Sequence, residues 1–407
     1  MNEQFKNIGI FWEQEEWGGV DSYLQNLINS SYFEKKNIII FSNKNNKGLK
    51  RIYNSLNHDK VRIVSFFSFN LISSKYLFLR LIINIIKPLL FLVSILQTYM
   101  LMKKYKFDIF IGQCGGYGGF RSEMASIFAA KILNFPVRSL VIHHCCARPI
   151  FWTTFLNIIN NLLSKYLTSV ISVSKATRNS VFYKSNLLDR QSNLKDSVIY
   201  NGVSQLNKNI SSESLNNIFK KKHKDILNIG MISRIESYKG QFDLIEAFAL
   251  LKIEDKEKFN VFFIGQGNEE EIRNLKRIIT KKKIEKYFKF TGYLNYDSLS
   301  ITSQLDMMIS LTRTFEGFGL SIAEAMSIGT PVLATNVGAI PEYLDESNSR
   351  LIEPGNPNQV LEALNDFLKN KEIWHQRAER AKNTINKKFT SEIMAKNYYN
   401  HFLQNFS

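Results

Sequence analysis

Thr314-Phe315-Glu316-Gly317-Phe318-Gly319-Leu320-Ser321-Ile322-Ala323-Glu324-Ala325-Met326, with Gly329-Thr330-Pro331-Val332 three residues on, is the stretch on which the reading of this 407-residue chain turns. An apolar run, Met307–Leu311, precedes it and another, Pro331–Thr335, follows it, so the order is strand, turn, helix, strand. The helix is expected to begin near Leu320. Backbone N–H groups at such a start can hold a diphosphate, and Gly317 and Gly319 let that backbone come close to it. Glu316 sits in the turn and Glu324 about one helical turn in. The two carboxylates are therefore separated and can grip different hydroxyls of a sugar or ribose.

Outward from this stretch the same alternation recurs. Asn7–Trp12, Asn37–Ser42, Val61–Phe66, Asp108–Gly112, Val137–His143 and Ser169–Val173 read as strands in the first half. Leu227–Ile232, Asn260–Gly265, Phe288–Gly292, Met307–Leu311 and Pro331–Thr335 do so in the second. Short apolar runs separated by helical stretches indicate α/β architecture with parallel sheets. Length allows two or three domains, and two Rossmann-like halves with a cleft between them is the economical arrangement. Ser204–Asp225, polar and ending in Lys220-Lys221-Lys222-His223-Lys224, reads as an interdomain linker with a solvated charge run.

The central stretch resembles the retaining nucleotide-sugar glycosyltransferases of family 4, the group 1 glycosyltransferases, whose signature is Glu, a glycine–aromatic–glycine turn, and a second Glu eight positions after the first. That resemblance implies the GT-B fold: α/β, two Rossmann-like domains facing each other across a cleft. Its boundaries here would be 1–203 for an acceptor-binding domain, completed by a C-terminal helix at 390–407, and 204–389 for a nucleotide-sugar-binding domain. By the same resemblance Glu316 contacts the donor sugar and Glu324 the ribose, with Gly317, Phe318, Gly319 and Leu320 around the donor. Gly230-Met231-Ile232-Ser233-Arg234-Ile235-Glu236-Ser237-Tyr238-Lys239-Gly240 resembles the family's Gly-Arg…Lys-Gly segment, with Ser233 where glycine is usual. Arg234 offers a planar fork and Lys239 a compact ammonium to the departing diphosphate.

Other matches are shorter. Gly265-Gln266-Gly267 resembles the turn near the nucleotide, and Gln266 departs from the usual acidic residue. Glu16-Trp17-Gly18-Gly19-Val20 resembles the glycine-rich loop against the donor phosphates, which assigns Gly18 and Gly19 to donor binding. Leu140-Val141-Ile142-His143-His144 resembles the strand whose terminal His faces the transferred sugar; His143 takes that role, or is a satisfied core histidine. Tyr200-Asn201-Gly202-Val203 resembles the hinge side of the first domain. In Asn336-Val337-Gly338-Ala339-Ile340-Pro341-Glu342 the reading is structural, with Gly338 making a turn.

Charge is uneven. Through Gln205 there are 25 Lys plus Arg against 11 Asp plus Glu, +14, and the remainder carries only +3 of the total +17. A field of that sign attracts anionic lipid, nucleic acid or an anionic substrate, and no zinc-finger spacing, RNP-like strand or Arg-rich tail favours nucleic acid. Leu81–Met102 is almost wholly apolar, broken at Lys87-Pro88. It reads as a core helix packing on the first sheet, or as an in-plane membrane contact, with a true span behind both. Three cysteines, Cys114, Cys145 and Cys146, make no disulfide framework, and the start lacks a secretory pattern. The expected location is cytoplasmic, peripheral on the inner face of the membrane.

The resemblance, taken with these features, implies a retaining, metal-independent hexosyltransferase. It would take a UDP- or GDP-sugar as donor and need no cofactor. Its acceptor would be a lipid-linked saccharide in surface polysaccharide synthesis, lipopolysaccharide O-antigen or capsule. No two aspartates are two positions apart, so the Asp-x-Asp metal clamp is absent from the sequence. A nucleotide-sugar 2-epimerase of the same fold and a non-catalytic basic lipid- or nucleic-acid-binding module are the rivals.

Overall fold

The computed structural model describes residues 5–14, 18–46, 48, 52–54, 60–67, 77–147, 152–188, 194–204 and 213–406. Glu16 and Trp17, residues 205–212 of the expected linker, and Ser407 lie outside them. The chain divides into two units, Met1–Gly202 with Ser391–Ser407, and Val203–Thr390.

In the first unit seven strands form one parallel sheet: β1 (Asn7–Trp12), β2 (Asn37–Asn43), β3 (Val61–Phe66), β4 (Ile109–Cys114), β5 (Val137–Ile142), β6 (Ser169–Ser172) and β7 (Lys195–Val198), in the order 3-2-1-4-5-6-7. The central strands are mainly apolar because both faces are covered, as in β4, where all six residues are buried and only Gln113 is polar. The order reverses between β1 and β4, which are paired with Gly9 opposite Phe110. Crevices for ligands open beyond the carboxyl ends of strands at such a reversal. Helices α1 (Gly19–Ile28), α2 (Leu77–Met102), α3 (Ser122–Ile132), α4 (Thr153–Tyr166) and α5 (Lys175–Lys184) belong to this unit.

The second unit repeats the plan. Strands β8 (Leu227–Ile232), β9 (Phe259–Ile264), β10 (Phe288–Gly292), β11 (Met307–Ser310), β12 (Val332–Thr335) and β13 (Arg350–Ile352) make a parallel sheet ordered 10-9-8-11-12-13, reversing between β8 and β11. Among its helices are α6 (Glu213–Ile218), α7 (Gln241–Leu250), α8 (Ile253–Lys256), α9 (Glu269–Lys281), α10 (Ser298–Thr302), α11 (Leu320–Ile328), α12 (Pro357–Lys369) and α13 (Lys371–Lys388). The last helix, α14 (Ser391–Phe406), belongs to the first unit. There Phe5 meets Tyr399 at 5.2 Å and Tyr23 meets Tyr398 at 5.8 Å between ring centres.

Three expectations need correction. β7 and β13, both edge strands, carry too little apolar sequence to be seen as strands. The linker reading fails for residues 213–225: Leu215 and Phe219 are buried, and Phe219 packs on Phe262 at 4.6 Å between ring centres, so this stretch is part of the second unit. The apolar segment is one helix, α2, running through Pro88 with the loss of one backbone hydrogen bond. The core-helix reading holds for one face only: Phe91 and Met102 join the first unit's core with Phe11, Phe41 and Phe66. One face, with Phe91, Ser94, Thr98 and Met102, is buried, and the Phe91 ring packs on Phe120 and on Phe128 of α3. The opposite face is exposed and apolar.

Candidate functional site

The second unit gathers most of the candidate residues at the carboxyl ends of β8, β9 and β11, astride the reversal of its sheet. Arg234 and Lys239 follow β8, Gly265 follows β9, and Glu316 through Leu320 follow β11. Lys239 lies in a short 3₁₀ turn, Ser237–Lys239. Its Nζ donates to Glu316 Oε2 at 2.8 Å, and Thr312 Oγ1 donates to the same oxygen at 3.2 Å. The lysine and the glutamate are both mostly buried, at 15% and 19% exposure. The sequence placed these two groups on the donor separately; the structure pairs them with each other.

Arg234 is more open. Its Nη1 is 2.9 Å from Glu236 Oε1, and its Nη2 donates to the Tyr238 hydroxyl at 3.2 Å. Burial above all, helped by Glu236, pushes that hydroxyl up to about 12 despite the opposing pull of Arg234, so it stays protonated in the neutral range. Arg313, next to the motif, forks onto Asp243 of α7, and its N–H donates to the Tyr238 carbonyl at 2.7 Å. These contacts tie the Arg234–Lys239 turn to the loop after β11.

That loop is set by close backbone approach. Gly319 caps α11 with φ +83°, and its successor Leu320 opens the helix where the sequence placed it. A side chain on Gly338, at φ +57°, would bring its Cβ within 2.2 Å of the Glu316 carbonyl oxygen. Instead the Ala339 N–H donates to that oxygen at 2.9 Å, and the Tyr343 hydroxyl donates to the Phe318 carbonyl at 2.5 Å. The Phe318 ring stacks on Tyr343 with centres 5.2 Å apart. Phe318 is thus a buried anchor of the turn. Farther along α11, Glu324 is only 8% exposed and accepts from Ser298 Oγ at the start of α10. Ser298 had no signal in the sequence, whereas Tyr238 sits within the Gly-Arg…Lys-Gly segment and could have been taken as a partner of Arg234 four positions away.

The first unit holds Gly18, Gly19 and His143. Gly18 precedes α1, and its N–H donates to the buried Asp21 carboxylate at 2.5 Å, so an internal acid already occupies the donor that the resemblance assigns to phosphate. His143, just past β5, is 8% exposed. Its Nε2 is 2.7 Å from Gln113 Oε1 at the end of β4, and its ring meets Tyr23 edge-on at 4.6 Å. Burial pushes its pKa down to about 3, so the ring is neutral at physiological pH and offers a hydrogen-bonding group, not a cation. The Cys145 Sγ lies 3.3 Å from His144 Nδ1. Among the described residues no three His, Cys, Asp or Glu side chains come together as a metal site.

The chain is similar to known proteins. Residues 213–384 match the family model "Glycosyl transferases group 1". An N-acetyl-alpha-D-glucosaminyl L-malate synthase of Bacillus anthracis is 29% identical over 169 residues, 41% of this chain and 42% of its own length. The O-antigen biosynthesis glycosyltransferase WclY of Escherichia coli is 28% identical over 140 residues, 34% of this chain and 38% of its own. The chain spans about half, 42 to 59%, of the length of the curated relatives that lead these matches. The crystal structure of Anabaena Alr3699/HepE in complex with UDP and glucose superposes with a TM-score of 0.75 at 18% identity, over 98% of this chain and 99% of that one. Its likeness identifies the fold as GT-B.

Two outcomes follow. Gly338→Ala forces a Cβ into the Glu316 backbone and a side chain into the left-handed region; it is expected to lower the thermal midpoint and to displace the turn, and an unchanged midpoint would refute the anchoring. For His143 the folded pKa lies below the unfolded one, near 6.5, so between these values the unfolded chain binds the extra proton. Its contribution to stability is complete above pH 6.5 and is lost as pH falls toward 3. His143→Gln is expected to flatten the decline of the urea midpoint across that window.

Proposed function

We propose, on the premise that residues 213–384 belong to the group 1 glycosyl transferases, that the protein transfers a hexose from a nucleoside diphosphate sugar to an acceptor hydroxyl with retention at the anomeric carbon. The observation that carries the reading is the Lys239–Glu316 pair beside Arg234 and the start of α11, all at the reversal of one parallel sheet. The cations and the N-terminal end of the helix dipole suit a diphosphate. Negative charge grows on that diphosphate as the sugar–oxygen bond breaks, and Lys239 and Arg234 stabilise it where it appears. Glu316, held by Lys239 and Thr312, offers its other oxygen to the sugar hydroxyls. Glu324 accepts from the ribose in the way it now accepts from Ser298. The acceptor oxygen bonds the anomeric carbon from the face the diphosphate leaves, and its proton departs with the diphosphate. These side chains supply the leaving group's countercharge without a metal ion.

The donor is of the UDP- or GDP-sugar class. A lipid-linked saccharide is the proposed acceptor, in surface polysaccharide assembly at the inner face of the cytoplasmic membrane. The O-antigen role in the name of one relative and the +14 first half support this. The neutral ring of His143 is the proposed first-unit contact to the transferred sugar, by hydrogen bonding.

Release of free UDP or GDP from a screened donor, dependent on added acceptor, tests the reading; release without any acceptor would point to a hydrolysing epimerase. Lys239→Ala is expected to lower turnover roughly 100- to 1000-fold, as loss of one contact at developing charge commonly does. Glu324→Ala should chiefly weaken nucleotide binding, measured by calorimetry; wild-type affinity removes its assigned role. Chelating agents should leave turnover unchanged, and full loss restored by a divalent ion would overturn the metal-free account.

A further inference from the structure

Among its described side chains, helix α2 exposes eight large apolar ones: Ile82, Ile85, Ile86, Leu89, Leu92, Val93, Leu96 and Met100, each 38 to 65% exposed. At about 100° per residue they fall within a single stripe of roughly 120°, and at 1.5 Å per residue the stripe runs about 27 Å. Lys103 and Lys104, exposed in the turn after the helix, continue it, and Lys106 is exposed just beyond. From Lys60 to Phe107 the sequence has eight basic residues and not one acidic residue. A continuous apolar patch of this length on a soluble domain marks a partner surface.

We propose that this face of α2 is a membrane-docking surface, with the helix lying in the plane of an anionic bilayer. The stripe enters the boundary between headgroups and acyl chains, and Lys103, Lys104 and Lys106 meet the anionic headgroups. A span is excluded by packing, since Phe91, Ser94, Thr98 and Met102 are buried on the other side of the same helix and Phe91 is locked between Phe120 and Phe128. A second copy of the stripe brings apolar surface but no acidic group to meet the lysines. The anionic bilayer supplies both. The inference stands apart from the transfer reaction, because binding is measured with neither donor nor acceptor.

The test is sedimentation of the full chain with vesicles of phosphatidylcholine alone and of phosphatidylcholine with phosphatidylglycerol. The protein is expected to pellet with the anionic vesicles at low salt, to be released by high salt, and to stay in solution with the neutral ones. The triple variant Lys103→Ala, Lys104→Ala, Lys106→Ala should bind about 100-fold more weakly, at the full strength of lysines beside an anionic surface. Leu89→Ser, Leu92→Ser, Leu96→Ser should bind at least tenfold more weakly. All six positions are exposed, and unchanged circular dichroism checks that each variant folds. No sedimentation with either vesicle overturns the proposal, as does equal binding to both. A dimer in solution that the serine variant dissociates, without vesicle binding, would assign the stripe to a second copy. A need for detergent to release the protein would mean insertion instead.

Discussion

The second unit depends on one close approach, the backbone of Gly338 against that of Glu316. Because no side chain separates them, the loop after β11 can lie on the segment after β12 and be bonded to it, through Ala339 to the Glu316 carbonyl and Tyr343 to the Phe318 carbonyl. With both carbonyls committed, the Glu316 carboxylate has a fixed origin, Gly319 can take its left-handed conformation, and α11 starts at a defined point. Arg313, at the near end of the same loop, transmits that position to Asp243 and Tyr238 and so to the Arg234–Lys239 turn. The electrostatic centre is placed by backbone geometry first and by charge second.

Pairing Lys239 with Glu316 has an energetic side. A mostly buried ammonium or carboxylate left alone is costly, whereas the pair with Thr312 satisfies both. The site is thus preorganised, and its charge is nearly balanced before any anion arrives. In the proposed reaction, attraction for a diphosphate would rest on Arg234, the more open cation although paired with Glu236, and on the helix start. In the first unit the choice is opposite. Asp21 sits on the Gly18 N–H, and His143 is kept neutral by burial, so this end of β1 and β5 presents hydrogen-bonding groups with little positive charge. Among the described residues, Arg121 lies near this end beside the Glu13 and Glu123 carboxylates, and other basic residues of that half lie around α2.

Which parts were legible in the sequence follows from how local each signal is. Strands buried on both faces, such as β4 and β8, announce themselves as mainly apolar runs, each with a single polar side chain, Gln113 and Asn228. The Glu316–Glu324 motif and the helix start at Leu320 were legible because turn, glycines and carboxylates lie within nine residues of one another. The edge strands β3 and β10 were legible too, but β7 and β13 were not: Lys195-Asp196-Ser197-Val198 pairs on one side only and has no core-facing run to reveal it. Ser298 with Glu324, Asp243 with Arg313, and Gln113 with His143 are joined only by the topology of the sheets, and no spacing along the chain encodes them. Composition also could not say what covers α2, since a helix apolar all round looks the same whether one face or both are buried.

The chain enters and leaves the second unit at one point. Val203 pairs with Thr390 in a parallel bridge, and the Val203 N–H donates to the Phe389 carbonyl at 2.9 Å, so that unit is in effect an insert with adjoining ends. The first unit is finished only by α14, whose Glu392 holds the Ser31 N–H at 3.0 Å, whose Met394 Sδ accepts from Gly202, and whose Tyr399 covers Phe5. A ribosome delivers those residues only after the whole of the second unit. During synthesis the later-made unit therefore has all its sequence before the earlier one does, and the Phe5 and Tyr23 rings wait for α14 until the second unit has been made. Order of appearance and order of completion run in opposite directions in this chain.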